Sequence, residues 1–154
     1  MPLDTQAYMD ALISHAGTTG HFASVNSVDI GSTPLNDDMI AVLWPRRIRA
    51  LPQASGLNQT SISIEFTMRL IVTMNTDPLG QIDSRMIAAA DSLMNAYSGD
   101  FTLGGLIAYV DLLGQHGAPM ESQSGFLRIN EDTQYRIVDI TIPCVINDVW
   151  TQSE

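Results

Sequence analysis

Along residues 60 to 74, "TSISIEFTMRLIVTM", an apolar side chain falls on every even position from Ile62 through Ile64, Phe66, Met68, Leu70 and Val72 to Met74. The odd positions hold Ser61, Ser63, Glu65, Thr67, Arg69, Ile71 and Thr73, so Ile71 alone breaks the alternation. A period of two predicts a β-strand with one buried face. At ~3.3 Å per residue this strand would reach about 50 Å. A compact domain of this size has a radius of gyration of ~15 Å, so the strand is expected to project past its own core. Residues 39 to 50, "MIAVLWPRRIRA", read as a second strand interrupted at Pro45. Proline has no N–H for a ladder, so that point marks an edge or a bulge. Joined through "LPQASGLNQ", the two make a long β-hairpin that calls for a neighbour.

Elsewhere the period changes to that of a helix. Residues 4 to 16, "DTQAYMDALISHA", carry Tyr8, Ala11, Leu12 and His15 on one stripe, with Asp4 or Thr5 as cap and Gly17 and Gly20 at the end. A second helix is predicted over 77 to 98. Asp77-Pro78 opens it, Gly99 closes it in a left-handed conformation, and its broad apolar face holds Ile82, Met86, Ala89, Ala90, Leu93, Met94 and Tyr97. "HFASVNSVDIG" reads as a short first strand, and "GSTPLNDD" as a polar loop. After the second helix, "FTLGGLIAYVDLLG", "GFLRIN" and "YRIVDITIPCVINDVW" read as two or three further strands. In the last of these, Val138, Ile140, Ile142, Cys144 and Ile146 form another even-numbered apolar face. The order α-β-β-β-α-β-β-β predicts a single α+β domain over residues 1 to 154. Its sheet is mixed and mostly antiparallel, with a long β-hairpin and two helices packed on one face.

Composition narrows the class. The chain has 154 residues, 45% of them apolar and 16% charged, an ordinary globular mixture. No apolar run approaches the ~20 residues that cross a bilayer, and no basic residue precedes Arg46, so neither a membrane span nor a secretory signal is expected. Cys144 is the single cysteine, which excludes an intrachain disulfide and suits a reducing compartment. Net charge is −10, and all seven cations are arginine. Such a chain cannot hold nucleic acid by neutralising its phosphates. Its acidity serves solubility, or lets DNA pass without sticking.

Candidate chemistry is sparse. "GDFTLGGLIAYVDLLGQHG" is rich in glycine, but it follows a helix rather than preceding one, and the chain has no lysine for a phosphate loop. His15, His21 and His116 lack metal-binding spacing, and His15 reads as a partly buried structural residue. Asp37-Asp38 lacks the glycine and closing glutamate of a calcium loop. Asn58-Gln59-Thr60 matches a glycosylation sequon that, without a secretory signal, is read as chance. No nucleophile elbow is present, so no catalytic, cofactor or metal residue is assigned. "WPRRIR" stands apart, with Arg46, Arg47 and Arg49 crowded beside Trp44. Trp and Arg are the residue types most enriched at binding hot spots. The cluster is either an exposed strand end balancing local acids or a contact for an acidic neighbour, including another copy of the chain. With Arg69 on the alternating strand, these residues form the candidate interface.

The run "SGDFTLGGLIAYVDLLG", then "GFLRIN", then "YRIVDITIPCVINDVW", following a helix and a long alternating strand, resembles the tail terminator (tail-completion) proteins of long-tailed bacteriophages. The match covers the second half of the chain well and the first half by element order. The resemblance implies a structural virion protein, without catalysis or cofactor, assembled in the host cytoplasm. It implies a ring, usually a hexamer, on the last ring of the tail tube, where it stops tube growth and meets the head connector. DNA would pass through the lumen without specific binding. Two other readings stand beside it: a head-to-tail adaptor of the same neck, and a small cytoplasmic ligand-binding α+β domain.

Overall fold

The computed structural model describes residues 3–22, 24–27, 39–52, 55–74, 79–128 and 134–152. The elements run α1 (Thr5–Thr18), β1 (Ser24–Ser27), β2 (Ile40–Ala50), β3 (Gln59–Thr73), α2 (Leu79–Gly99), β4 (Tyr109–Val110), β5 (Glu121–Arg128) and β6 (Gln134–Thr151). They make the α+β fold that the periodicity predicts, with a curled, mixed, mostly antiparallel sheet of six strands. Strand order is β1-β2-β3-β6-β4, with β5 also on β6. Among the described strands, only β1 with β2 is parallel.

The even residues of β3 and β6 share one face. Ile62, Ile64, Phe66, Met68 and Leu70 pack there with Val138, Ile140, Ile142 and Cys144 under the two helices. From α1 come Tyr8, Met9, Leu12 and Ala16; from α2 come Ile82, Met86, Ala89, Ala90, Leu93 and Tyr97. Asp4 caps α1 by accepting from the Ala7 N–H at 3.2 Å. The Tyr97 hydroxyl donates to the Leu12 carbonyl at 2.9 Å and so ties the helices together. Burial pushes the Cys144 thiol up to about 12. The expected Asp77-Pro78 start of α2 and the 31 to 38 loop lie outside the described residues.

Ile71, the break in the alternation, is explained by a second cluster on the opposite face. There it packs with Ile40, Val42, Tyr135 and Ile137. The period-two pattern marks the helix-covered face, while Ile71 marks where the other face is also apolar.

Three expectations are corrected. First, β3 does not project past the core, because Ser61 to Thr73 are buried or nearly so on both faces. On the face away from the helices, Glu65 is covered by Arg47 and Arg49, Ser61 lies against Ser55 and Asp148, and the His116 carbonyl and Gly117 meet the Arg49 guanidinium. Second, Gly99 is the last helical residue and is not left-handed. Third, the segment from Phe101 is a block of turns, and its only strand is the two-residue β4. The Asp100 carboxylate accepts from the Gly104 N–H at 3.0 Å, and the Leu103 N–H reaches the Asp100 carbonyl at 3.0 Å. Leu103, Gly104 and Gly105 have φ of 50°, 68° and 89°. That is a left-handed run no strand can hold, which is why the glycine pair stands there.

Candidate functional site

The bulge expected at Pro45 lies between Pro45 and Arg47 in the β2–β3 ladder. A bulge gives β2 one extra residue, so two consecutive arginines face the same side. Arg46 and Arg47 both lie on the face opposite the helices, beside the odd residues of β3. Arg47 donates from Nε to Glu65 Oε2 at 2.7 Å and from Nη2 to Oε1 at 2.9 Å. Arg49 Nη2 stands 3.9 Å from Glu65 Oε1 and donates to the His116 carbonyl at 2.9 Å. The Glu65 side chain is 2% exposed. Its carboxyl is held below the usual carboxylate range, chiefly by the Arg47 hydrogen bonds. Burial opposes them, and the charges of Arg47, Arg49 and Arg46 assist.

One strand over, Arg69 makes the same forked contact with Asp139, at 2.8 and 3.1 Å. Its guanidinium carbon lies 5.2 Å from the Trp44 ring centroid. Trp44, Arg46, Arg69, Asp139, Glu121 and Gln123 surround a polar trough of about 350 Å³ that spans β2, β3, β6 and β5. The structure thus brings Trp44, Arg46 and Arg69 together and sets Arg47 and Arg49 beside them on the same sheet face. Among the described residues, Arg46 is exposed and has no hydrogen-bond or ion-pair partner. Of the three "WPRRIR" arginines, Arg46 alone takes part in no ion pair or hydrogen bond among the described residues, so its removal breaks no contact of the fold. Arg47 is the counter-ion of a buried carboxylate, so its loss strains the fold.

Of the two carboxylates that line the trough, Asp139 is paired with Arg69 and Glu121 stands on β5; the hydroxyls of Thr67 and Thr141 belong to the sheet face, and among the described residues no histidine or thiol lines it. Among the described residues, no group of three or more His, Cys, Asp or Glu converges. The histidines have structural partners. His15 Nε2 lies 2.9 Å from Asp100 Oδ2, linking α1 to the turn block. His21 Nε2 meets Ser92 Oγ at 2.9 Å, and His116 Nε2 meets the Tyr109 hydroxyl at 2.7 Å. The buried Asp111 carboxylate accepts from the Gln115 and His116 N–H groups at 2.8 and 2.9 Å, which closes the turn over the sheet. At Gly117, with φ of +147°, a Cβ would collide with the Arg49 guanidinium. Among the described residues, no helix is long and apolar enough to cross a membrane.

Sequence reasoning located the arginine cluster but missed Glu65, Asp139, Glu121 and Gln123. Glu65 was visible as the one acid in the alternating strand. Its partner depends on ladder register, which spacing does not give. No family model matches the chain, and no curated protein matches it.

Proposed function

We propose that the chain is a structural protein that assembles with copies of itself into a ring, hexameric by resemblance, at the head-proximal end of a phage tail tube. There it ends tube growth and joins tail to head. One observation carries the assembly part of this reading: the sheet is left open on both sides. On one side, β1 covers only Ile40 to Leu43 of β2, so residues 44–50 have no strand partner on their outer edge among the described residues. On the other, β5 pairs with β6 and has no further strand beyond it among the described residues. Open edges are templates for pairing, and a closed ring removes them. The phage assignment rests on the three sequence runs quoted above. The turn block at 100–117, held by the Asp100 and Asp111 carboxylates, suits a scaffold role, since its polar groups are spent on backbone. A net charge of −10 suits a lumen through which DNA slides.

The test is to polymerise tail tube protein with and without the chain and to measure tube lengths by negative-stain microscopy. The reading expects shorter tubes of narrower length distribution, with the chain bound at one end. Unchanged lengths and no bound chain would refute it. The head-side adaptor is separated by pull-down, since it would retain the portal-proximal ring and not the tube.

A further inference from the structure

The two open edges belong to one sheet, and their side chains complement each other. Between its end charges, Glu121 and Arg128, β5 lacks the usual protection of an edge strand. It has no proline, lysine or bulge, and its middle is Ser122, Gln123, Ser124 and Gly125. β2 runs antiparallel to β3, β3 to β6, and β6 to β5, so β2 and β5 run in opposite directions. Placed beside each other in neighbouring copies with their sheets continuous, they would form an antiparallel ladder.

We propose that β5 of one copy adds to the outer edge of residues 44–50 of the next, head to tail. The register is set by face and charge. Glu121 falls opposite Arg49, Ser122 opposite Ile48 and Gln123 opposite Arg47. With Arg46 left out as the bulge, Gly125 falls opposite Trp44. The alternation is then in phase. Glu121, Gln123 and Gly125 pair through β6 with Thr141, Asp139 and Ile137, on the face that also holds Arg47 and Arg49. Ser122 and Ile48 lie together on the helix-covered face, paired to Ile140 and Ile64. An opposite-charge pair directly across a ladder is favourable. Gly125 has only Ile137 near its missing Cβ, which leaves room for an indole across the strand, a recurrent arrangement for edge glycines. The contact joins two different surfaces, so it repeats from copy to copy and can close into a ring.

This inference rests on the ring reading, and disulfide trapping in the full chain tests the two separately. Directly opposed residues of an antiparallel pair have Cα atoms about 4.5–5.5 Å apart, within disulfide reach. Ser122 and Ile48 are exposed, and the native Cys144 is buried and unreactive. The double variant Ser122→Cys with Ile48→Cys should give a ladder of covalent oligomers under mild oxidation, alone or on tail tubes. A mixture of the two single variants should give covalent dimers only. Rings seen by microscopy without these cross-links would overturn the edge pairing and leave the ring reading standing. Covalent dimers from Ser122→Cys alone would overturn it in favour of β5 pairing with β5. A chain that never self-associates overturns both. Independently of thiol chemistry, Glu121→Arg should weaken self-association several-fold with an unchanged melting temperature. Full assembly by that variant would contradict the register.

Discussion

Removing the Arg47 guanidinium would leave the Glu65 carboxylate buried, with Arg49 as its nearest cation at 3.9 Å. An orphaned buried charge is far more harmful than a lost surface pair. Arg47→Ala is therefore expected to lower stability by clearly more than Arg46→Ala does, the exposure of the Arg47 side chain keeping the loss below that of a fully buried pair. Arg46→Ala should stay within about 0.5 kcal/mol, as surface changes do. Urea unfolding of the two variants checks this contrast. The same pair predicts an acid limb. The folded pKa of Glu65 is depressed, so the native state binds fewer protons than the unfolded chain. Its contribution is present above the unfolded carboxylate value of about 4.3 and is lost as pH falls through the lower folded value. Between neutral pH and pH 3, Glu65→Gln should lose less stability than the parent. Equal losses would show that the ion pair contributes nothing to the acid limb. In the sequence Glu65 is simply the acid among polar odd positions. Its burial comes from arginines that only the register brings over it.

At the scale of elements, period-two alternation locates β3 and β6 because each has one face under the helices. Stripes at spacings of three and four locate α1 and α2 for the same reason. Phe66→Ala or Leu70→Ala should each cost ~2–5 kcal/mol, because both are fully buried and their removal opens a cavity. Thermal or urea unfolding reads this directly. What the period cannot show is the second covering of β3, since Ser61, Ser63 and Thr67 are polar and yet buried. The segment 101 to 114 misleads for a related reason. Its apolar residues look strand-like, but Leu103 and Ile107 are buried from turns, while Phe101, Leu106 and Leu113 remain exposed. The left-handed glycines, and not the apolar run, govern the backbone there. The expected Pro45 bulge, by contrast, was legible, because the missing N–H is a local property that no tertiary contact can restore.

For the whole molecule, the chain is acidic, its sheet is open at both edges among the described residues, and its polar trough holds the Arg69–Asp139 pair beside the unpaired Arg46. The −10 charge would line a lumen or an outer wall with repulsion for DNA, while the three arginines at the β2 edge concentrate attraction at one place. The α+β class and the arginine cluster follow from sequence, because both are set by local spacing. The trough and the free edges follow from strand order, which spacing leaves undetermined. The central claim is that copies of this chain close into a ring on a tail tube. The most direct measurement is negative-stain imaging of the purified chain mixed with preformed tail tubes, together with the mass of the bound species. The account predicts annular particles with an open lumen capping one end of each tube, at a mass of six chains. Tubes with bare ends beside a chain that stays monomeric would contradict it.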